Sequence, residues 1–374
     1  AQTITSYLWE QTSGTGTCTF TSANTEDTDV SCDTDGDFTL RLTVTDNLSN
    51  SGSASFTLSW DTTAPLVDAG ITGSYNVQFT QNASITGATT ITWSKQSGSG
   101  NVTFGSSNAA STTVSMDAND TYVLLLTVSD DAGNSATDTV TIVWDTEAPV
   151  VNVGADLAAN ASISIDATSS DNDLIQTYLW EHIAGGGTCS FTSASTEDTD
   201  VSCDTEADHT LRLTVTDASG NSSNDTLTLT WDTTAPTVDA GADSSRNAQF
   251  TQNGSAGGDA TTITWSKDSG SGNVSFGTPN AASTTVSMDA DDTYVLRLTV
   301  SDALGNTAFD TVTVTWGTTA PVVDVGADLA ANSTVSINAT VTSGQSIASY
   351  AWTQTAGPGT CTIVSPSSED TDIS

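Results

Sequence analysis

Tryptophan recurs along this chain in two alternating series with nearly constant spacing. The first series is Trp9, Trp93, Trp180, Trp265 and Trp352, and the second is Trp60, Trp144, Trp231 and Trp316. These nine residues account for every tryptophan in the 374-residue sequence. A fixed period of this kind indicates one small structural unit repeated along the chain, each unit with its own core.

The spacing inside each unit is also fixed. In the first unit Trp9 is followed by Cys18, Cys32, Asp46 and Trp60, and the same intervals recur in the later units. Units with a cysteine pair alternate with units that have a valine and a methionine at the two cysteine positions. The full period is therefore a pair of units about 171 residues long. Length varies only between the second tryptophan of one unit and the first of the next, where loops absorb insertions.

Short proline-containing linkers join the units. They follow the pattern Asp/Gly-Thr-Thr/Glu-Ala-Pro at residues 61–65, 145–149, 232–236 and 317–321. We therefore expect five domains, at residues 1–61, 62–145, 146–232, 233–317 and 318–374. The first is expected to lack its N-terminal strands and the last to be truncated, as in a window onto a longer array. Because proline fixes φ, the linkers are expected to be stiff.

Within a unit the pattern is that of β-strands. Residues 38–45 alternate apolar and polar side chains, which is the period of a strand with one buried face. The segments 130–134 and 217–221 contain the Asp, Gly and Asn that a hairpin turn with positive φ requires. About seven short strands in about 85 residues predict an all-β chain, built as a tandem array of antiparallel β-sandwich domains.

Three segments of the third unit resemble a known family. They are Ala148–Asp156 (APVVNVGAD), Tyr178–Glu181 (YLWE) and Leu211–Asp217 (LRLTVTD). They are similar to the PKD-type immunoglobulin-like repeats of bacterial and archaeal surface proteins. The match is to the branch marked by Tyr-x-Trp, since the Trp-Asp-Phe-Gly-Asp-Gly segment of the founding pattern is absent. The resemblance implies Ig-like domains that act as spacers, adhesive modules or filament parts, and the fold does not choose among these roles.

The charge of the chain narrows the classes of partner. The sequence has 45 acidic and 6 basic residues, for a net charge of −39. Such a chain repels phosphate backbones and anionic lipids, which argues against nucleic-acid binding and electrostatic membrane attachment. No apolar run approaches the roughly 20 residues needed for membrane insertion. Cations, self-association and further repeats of the same chain are the expected partners, whereas carbohydrate binding has no supporting feature.

The cysteines are expected to form disulfides, Cys18 with Cys32 and Cys189 with Cys203. The alternate units have an apolar pair at these positions, Val102 with Met116 and Val274 with Met288. Replacement of a cysteine pair by an apolar pair indicates that the two positions touch inside the sandwich. Disulfides fit an extracellular or cell-surface location, and the alternative is a pair of buried thiols in a reducing cytosol.

Acidic loops after the Cys/Met strand are candidate Ca²⁺ sites. Their oxygen donors are Asp33, Asp35 and Asp37; Asp117, Asn119 and Asp120; Asp204, Glu206 and Asp208; and Asp289, Asp291 and Asp292. Ca²⁺ takes six to eight oxygen ligands, and clustered carboxylates repel one another without a cation. These loops are expected at the same pole as the departing linker, where Asp61, Asp145 and Asp232 would add ligands and lock the joint. The alternative is that the loop residues hydrogen-bond their own turns.

No catalytic arrangement recurs among the units. The two histidines, His182 and His209, correspond to Gln11 and Phe38 in the first unit and are interpreted as incidental. No pair of carboxylates is singled out for glycoside cleavage. The sequence therefore predicts a non-enzymatic extracellular repeat protein that forms a stalk, sheath or filament on a microbial surface. The alternatives are an adhesin stalk whose binding tip lies elsewhere, or a carbohydrate-binding accessory array of a secreted hydrolase.

Overall fold

A computed structural model describes residues 2–374, and all of the regular structure in that range is β-strand. The first unit contains β1 (Ile4–Ser13), β2 (Cys18–Phe20), β3 (Val30–Cys32), β4 (Gly36–Asp46) and β5 (Ser51–Trp60). The second contains β6 (Leu66–Asp68), β7 (Gly73–Tyr75), β8 (Phe79–Asn82), β9 (Ser84–Thr86), β10 (Thr90–Ser97), β11 (Val102–Phe104), β12 (Ser111–Met116), β13 (Asp120–Ser129) and β14 (Ser135–Trp144).

The third and fourth units repeat this element order. The third contains β15 (Val150–Asn152), β16 (Leu157–Ala159), β17 (Ile163–Ile165), β18 (Thr168–Ser170), β19 (Ile175–Ala184), β20 (Cys189–Phe191), β21 (Thr199–Cys203), β22 (Ala207–Asp217) and β23 (Ser222–Trp231). The fourth contains β24 (Thr237–Asp239), β25 (Ser244–Arg246), β26 (Phe250–Asn253), β27 (Ser255–Gly257), β28 (Thr262–Ser269), β29 (Val274–Phe276), β30 (Ser283–Met288), β31 (Asp292–Ser301) and β32 (Thr307–Trp316). The fifth contains β33 (Val322–Asp324), β34 (Val335–Ile337), β35 (Thr340–Thr342) and β36 (Thr371–Ile373).

Each complete unit is a two-faced sandwich. In the second unit one face has the strand order β7-β14-β13-β10, and the other combines β8-β12-β11 with the pair β6-β9. All pairings in this unit are antiparallel except that of β7 with β14, which is parallel. The third and fourth units have the same arrangement. The predicted tandem array of β-sandwiches is therefore confirmed.

A complete unit has nine strand segments rather than about seven, because its first two strands are each interrupted. The first strand begins on one face as β6 and continues on the other face as β7. Gly70 lies at this crossing with φ +91°, and a Cβ there would stand 2.3 Å from the carbonyl oxygen of Asn82. Only glycine combines this backbone conformation with so close an approach.

Each unit also has its own apolar core. Strand β13 alternates half-buried and buried residues along its length, as the period-two sequence pattern predicts. The six tryptophans of the three complete units are at most 7% exposed. Four separate core clusters are present, and each draws its residues from one unit. The tryptophans are therefore spent on packing rather than presented as a binding platform.

The structure contains both expected disulfides, Cys18–Cys32 and Cys189–Cys203. Each joins directly opposed residues of two neighbouring antiparallel strands. At the same place in the alternate units, Val102 faces Met116 and Val274 faces Met288. The apolar pairs thus occupy the geometric position of the disulfides.

Candidate functional site

The linkers between units begin with a short turn held by an aspartate. The Oδ1 atoms of Asp61, Asp145 and Asp232 each accept a hydrogen bond from the backbone N–H two residues later, at 2.9–3.0 Å. This is the turn that aspartate favours before a polar residue. The linker backbone is therefore fixed locally before it enters the next unit.

The acidic loop of the preceding unit also holds the linker. Its middle residue accepts hydrogen bonds from both the N–H and the hydroxyl of the first linker threonine. The acceptor–threonine pairs are Asp35–Thr62, Asn119–Thr146, Glu206–Thr233 and Asp291–Thr318, with distances of 2.8–3.3 Å. The loop and the departing linker thus lie at the same pole, as expected from the sequence.

The other residues of these loops accept hydrogen bonds within their own unit. The pairs include Asp33 with Thr17, Asp37 with Ser59, Asp117 with Asn101, Asp120 with Ser99, Asp204 with Thr188, Asp208 with Thr230, Asp289 with Asn273, and Asp292 with Ser271. Within residues 2–374, the three loops made only of acids do not bring their three carboxylates within 4.8 Å of one another. Here the structure departs from the predicted three-donor site, because these carboxylates are drawn outward to separate hydrogen-bond donors.

Asp204 provides a pH-dependent contribution to stability. The backbone N–H of Thr188, and then the hydroxyls of Thr188 and Thr205, lower the pKa of Asp204 to about 2. An aspartate in an unfolded chain has a pKa of about 3.9, so this contribution is present above about pH 4 and is lost as the pH falls towards 2. We expect Asp204→Asn to flatten the pH dependence of the third unit's thermal midpoint in this window. Asp131→Asn, an exposed change in the second unit, should leave that dependence unchanged.

The following unit grips the linker from the other side. The side-chain amides of Asn134, Asn221 and Asn306, each at a hairpin tip, donate a 3.0 Å hydrogen bond to the backbone carbonyl of the preceding linker aspartate. Each asparagine amide also donates to the aspartate at the start of its own hairpin, at 2.8–3.0 Å. The hairpin tip and the joint are therefore one hydrogen-bonded assembly.

At two joints this assembly brings three carboxylates together. One group is Asp145, Asp171 and Asp217, and the other is Asp232, Asp259 and Asp302, each with one oxygen per residue within 4.8 Å of the others. Asp145 and Asp217 are fully buried. Burial, and then the charges of Asp145 and Asp217, raise the pKa of Asp171. The joint between the first two units has only Asp61 and Asp130, since no third acid precedes its first tryptophan strand.

Sequence reasoning identifies the linker aspartates but misses their partners. Asp171 and Asp259 lie in the stretch between units where length varies, so they have no place in the repeat register. Asp217 enters the sequence pattern only as a turn residue. The recurrence of a linker aspartate with a downstream Asp-x-x-Gly-Asn turn is the available signal, but it does not show that the turn folds back onto the joint.

The two histidines lie together in the third unit. His209 is fully buried at the position of Phe38, and its Nδ1 is 3.2 Å from Nε2 of His182. Cys189 lies beside them but is committed to a disulfide, so it has no thiolate to offer a metal ion. The pair is therefore accounted for by packing and by hydrogen bonds to the carbonyls of Thr205 and Ala184.

Comparison with known proteins gives the family. A family model of the PKD domain matches residues 1–59, 70–143, 153–230 and 243–315, which together exceed half of the chain. The predicted PKD-type repeat is therefore confirmed, and its assignment to the Tyr-x-Trp branch stays a prediction. No curated protein matches significantly. Within residues 2–374 no helix has the length and hydropathy to cross a bilayer.

Several solved structures are similar at low identity. An I-band fragment of titin covers 69% of this chain and 100% of its own length, with 13% identity and a TM-score of 0.36. The PKD domain of the KIAA 1837 protein covers 22% of this chain and 84% of its own, with 23% identity and a TM-score of 0.20. The human desmocollin-1 ectodomain covers 84% and 72%, with 14% identity and a TM-score of 0.24. On the strength of its four matched repeats, the chain belongs to the PKD domain family.

Proposed function

We propose that this chain is the rod-like part of an extracellular structural protein, serving as a stalk, sheath or filament on a microbial surface. The main support is the linker, which is hydrogen-bonded by the unit before it and by the unit after it at three successive joints. Holding a short linker on both sides limits the angles available between neighbouring units. A repeated stiff joint suits a protein whose task is to maintain distance.

Two further features support the same role. No complete unit departs from the common strand order, so no unit is specialised for a ligand. The two disulfides fit an oxidising exterior, and the strong negative charge favours a soluble, hydrated surface.

Small-angle X-ray scattering of the full chain tests the rod. Ten-residue strands give each unit a length of about 33 Å, so five units in line predict a radius of gyration of about 50 Å. A compact protein of this length would have about 21 Å. A value near the compact limit would contradict the proposal. Labelling of intact cells that make the full-length protein with an impermeant reagent tests the location, and an unlabelled chain would contradict a surface role.

The contribution of the joints is tested by a triple variant, with Asn134, Asn221 and Asn306 each replaced by alanine. We expect a smaller radius of gyration and a broader distribution of interatomic distances, because the units then bend at their linkers. Replacing three asparagines elsewhere (Asn224, Asn247 and Asn280) provides a matched control. Equal scattering from both triple variants would show that the hairpin asparagines do not stiffen the array.

A further inference from the structure

The joint between the second and third units contains a buried concentration of negative charge. Asp145 comes from the linker, Asp171 from the segment after β18, and Asp217 from the end of β22. One carboxylate oxygen of each lies within 4.8 Å of the other two. Asp145 and Asp217 have no exposed surface, and Asp171 is half-buried, so the group opens to solvent only on the side of Asp171.

No basic side chain compensates this charge. The sequence has six lysines and arginines. Three arginines pair with other acids, the two lysines donate to loop carbonyls, and Arg246 lies over the ring of Phe250. In residues 2–374, therefore, no ion pair reaches the three aspartates.

One oxygen in the group has no partner at all. Oδ1 of Asp145 accepts the N–H of Glu147, but Oδ2 is buried and makes no hydrogen bond. The hydrogen bonds to Asp217 come from Asn221, an uncharged donor. A buried carboxylate oxygen without a donor is costly unless a cation or proton faces it.

From this arrangement we infer that Asp145, Asp171 and Asp217 form a binding site for one Ca²⁺ ion, which joins the linker to the third unit. Three carboxylates supply three to six of the six to eight oxygens that Ca²⁺ takes, and water entering beside Asp171 supplies the rest. Mg²⁺ fits less well, because it requires near-octahedral geometry and gives up its water reluctantly. The inference does not depend on the stalk proposal, since a compact array could hold the same ion.

The next joint provides an internal comparison. Asp232, Asp259 and Asp302 occupy equivalent positions, but Asp259 is exposed and no carboxylate oxygen of this group is both buried and unpartnered in the described residues. A charge-neutralising change there removes an acid from the same structural position without touching the buried group. Asp259→Asn is therefore the matched control for Asp171→Asn.

Ca²⁺ titration of the full chain by calorimetry tests the inference, with Tb³⁺ luminescence excited through tryptophan as a second readout. Roughly 0.15 M salt at neutral pH screens the acidic surface. We expect one saturable Ca²⁺ site per chain, weakened at least about tenfold by Asp171→Asn and retained in Asp259→Asn. An asparagine at 171 keeps an oxygen for the N–H of Asp173, which the aspartate now holds at 2.8 Å. If that variant unfolds, Asp171→Ser provides the same test.

Hydrogen exchange locates the ion independently. Ca²⁺ is expected to slow exchange in the hairpin 217–221 and to leave the hairpin 130–134 of the second unit unchanged, because its joint lacks a third acid. Three results would overturn the inference: no saturable binding up to roughly 10 mM Ca²⁺, equal weakening by both asparagine variants, or equal protection of both hairpins. The last two would indicate diffuse screening of the acidic surface.

Discussion

Replacing Trp180 with alanine is expected to lower the free energy of unfolding of the third unit by about 3–5 kcal/mol. Trp180 is 2% exposed, and its ring lies 5.9 Å from that of Phe191 in a stacked arrangement. Its indole N–H donates a 3.1 Å hydrogen bond to the carbonyl of Glu197. The change removes a large buried ring, leaves a cavity and deprives a carbonyl of its donor, and each effect destabilises the folded unit.

The equivalent change in the first unit provides the control. Trp9 holds the same position in the repeat but is only half-buried, and the core cluster of its unit is small. Trp9→Ala is therefore expected to cost less than Trp180→Ala. Peptide-resolved hydrogen exchange in increasing urea separates the units, because each opens with its own free energy. Equal losses in the two variants, or a loss spread over the second and fourth units, would contradict independent cores.

Sequence reasoning reaches the architecture because the signals are local and repeated. Alternation along residues 38–45 becomes strand β4, and the fixed intervals between tryptophans become cores confined to single units. The expected number of strand segments is too low for a tertiary reason. Whether a strand stays on one face or crosses at Gly70 depends on which neighbour it pairs with, and sequence spacing does not record this.

The joint is predictable only on one side. The loop containing Asn119 and the linker containing Thr146 belong to one sandwich, so their shared pole follows from its strand order. The return of Asn221 to the linker is a contact between units, and no pattern within a unit specifies it. The sequence therefore favours the acidic loops as metal sites, although the carboxylates that meet are those of the linker and the following unit.

Breaking the disulfide between Cys189 and Cys203 is expected to be the second largest effect on stability. The bond closes a loop with a sequence separation of 14 residues, for which the chain-entropy model gives about 3 kcal/mol. A reductant, or the double change Cys189→Ser and Cys203→Ser, should therefore lower the free energy of unfolding of the third unit by about this amount. The second and fourth units serve as controls within the same molecule, because they have no disulfide to lose.

Force spectroscopy of the full chain distinguishes this effect from general damage. An intact disulfide shields its loop from extension, so the third unit should release a contour length shorter by about 50 Å than it does after reduction. Val102 with Met116 and Val274 with Met288 hold the equivalent strands without a covalent bond, so the second and fourth units should release the same length before and after reduction. A reductant effect on those units would contradict the assignment. Unchanged extension of the third unit would contradict it as well, because a covalent bond across β20 and β21 cannot be broken without lengthening the unfolded chain.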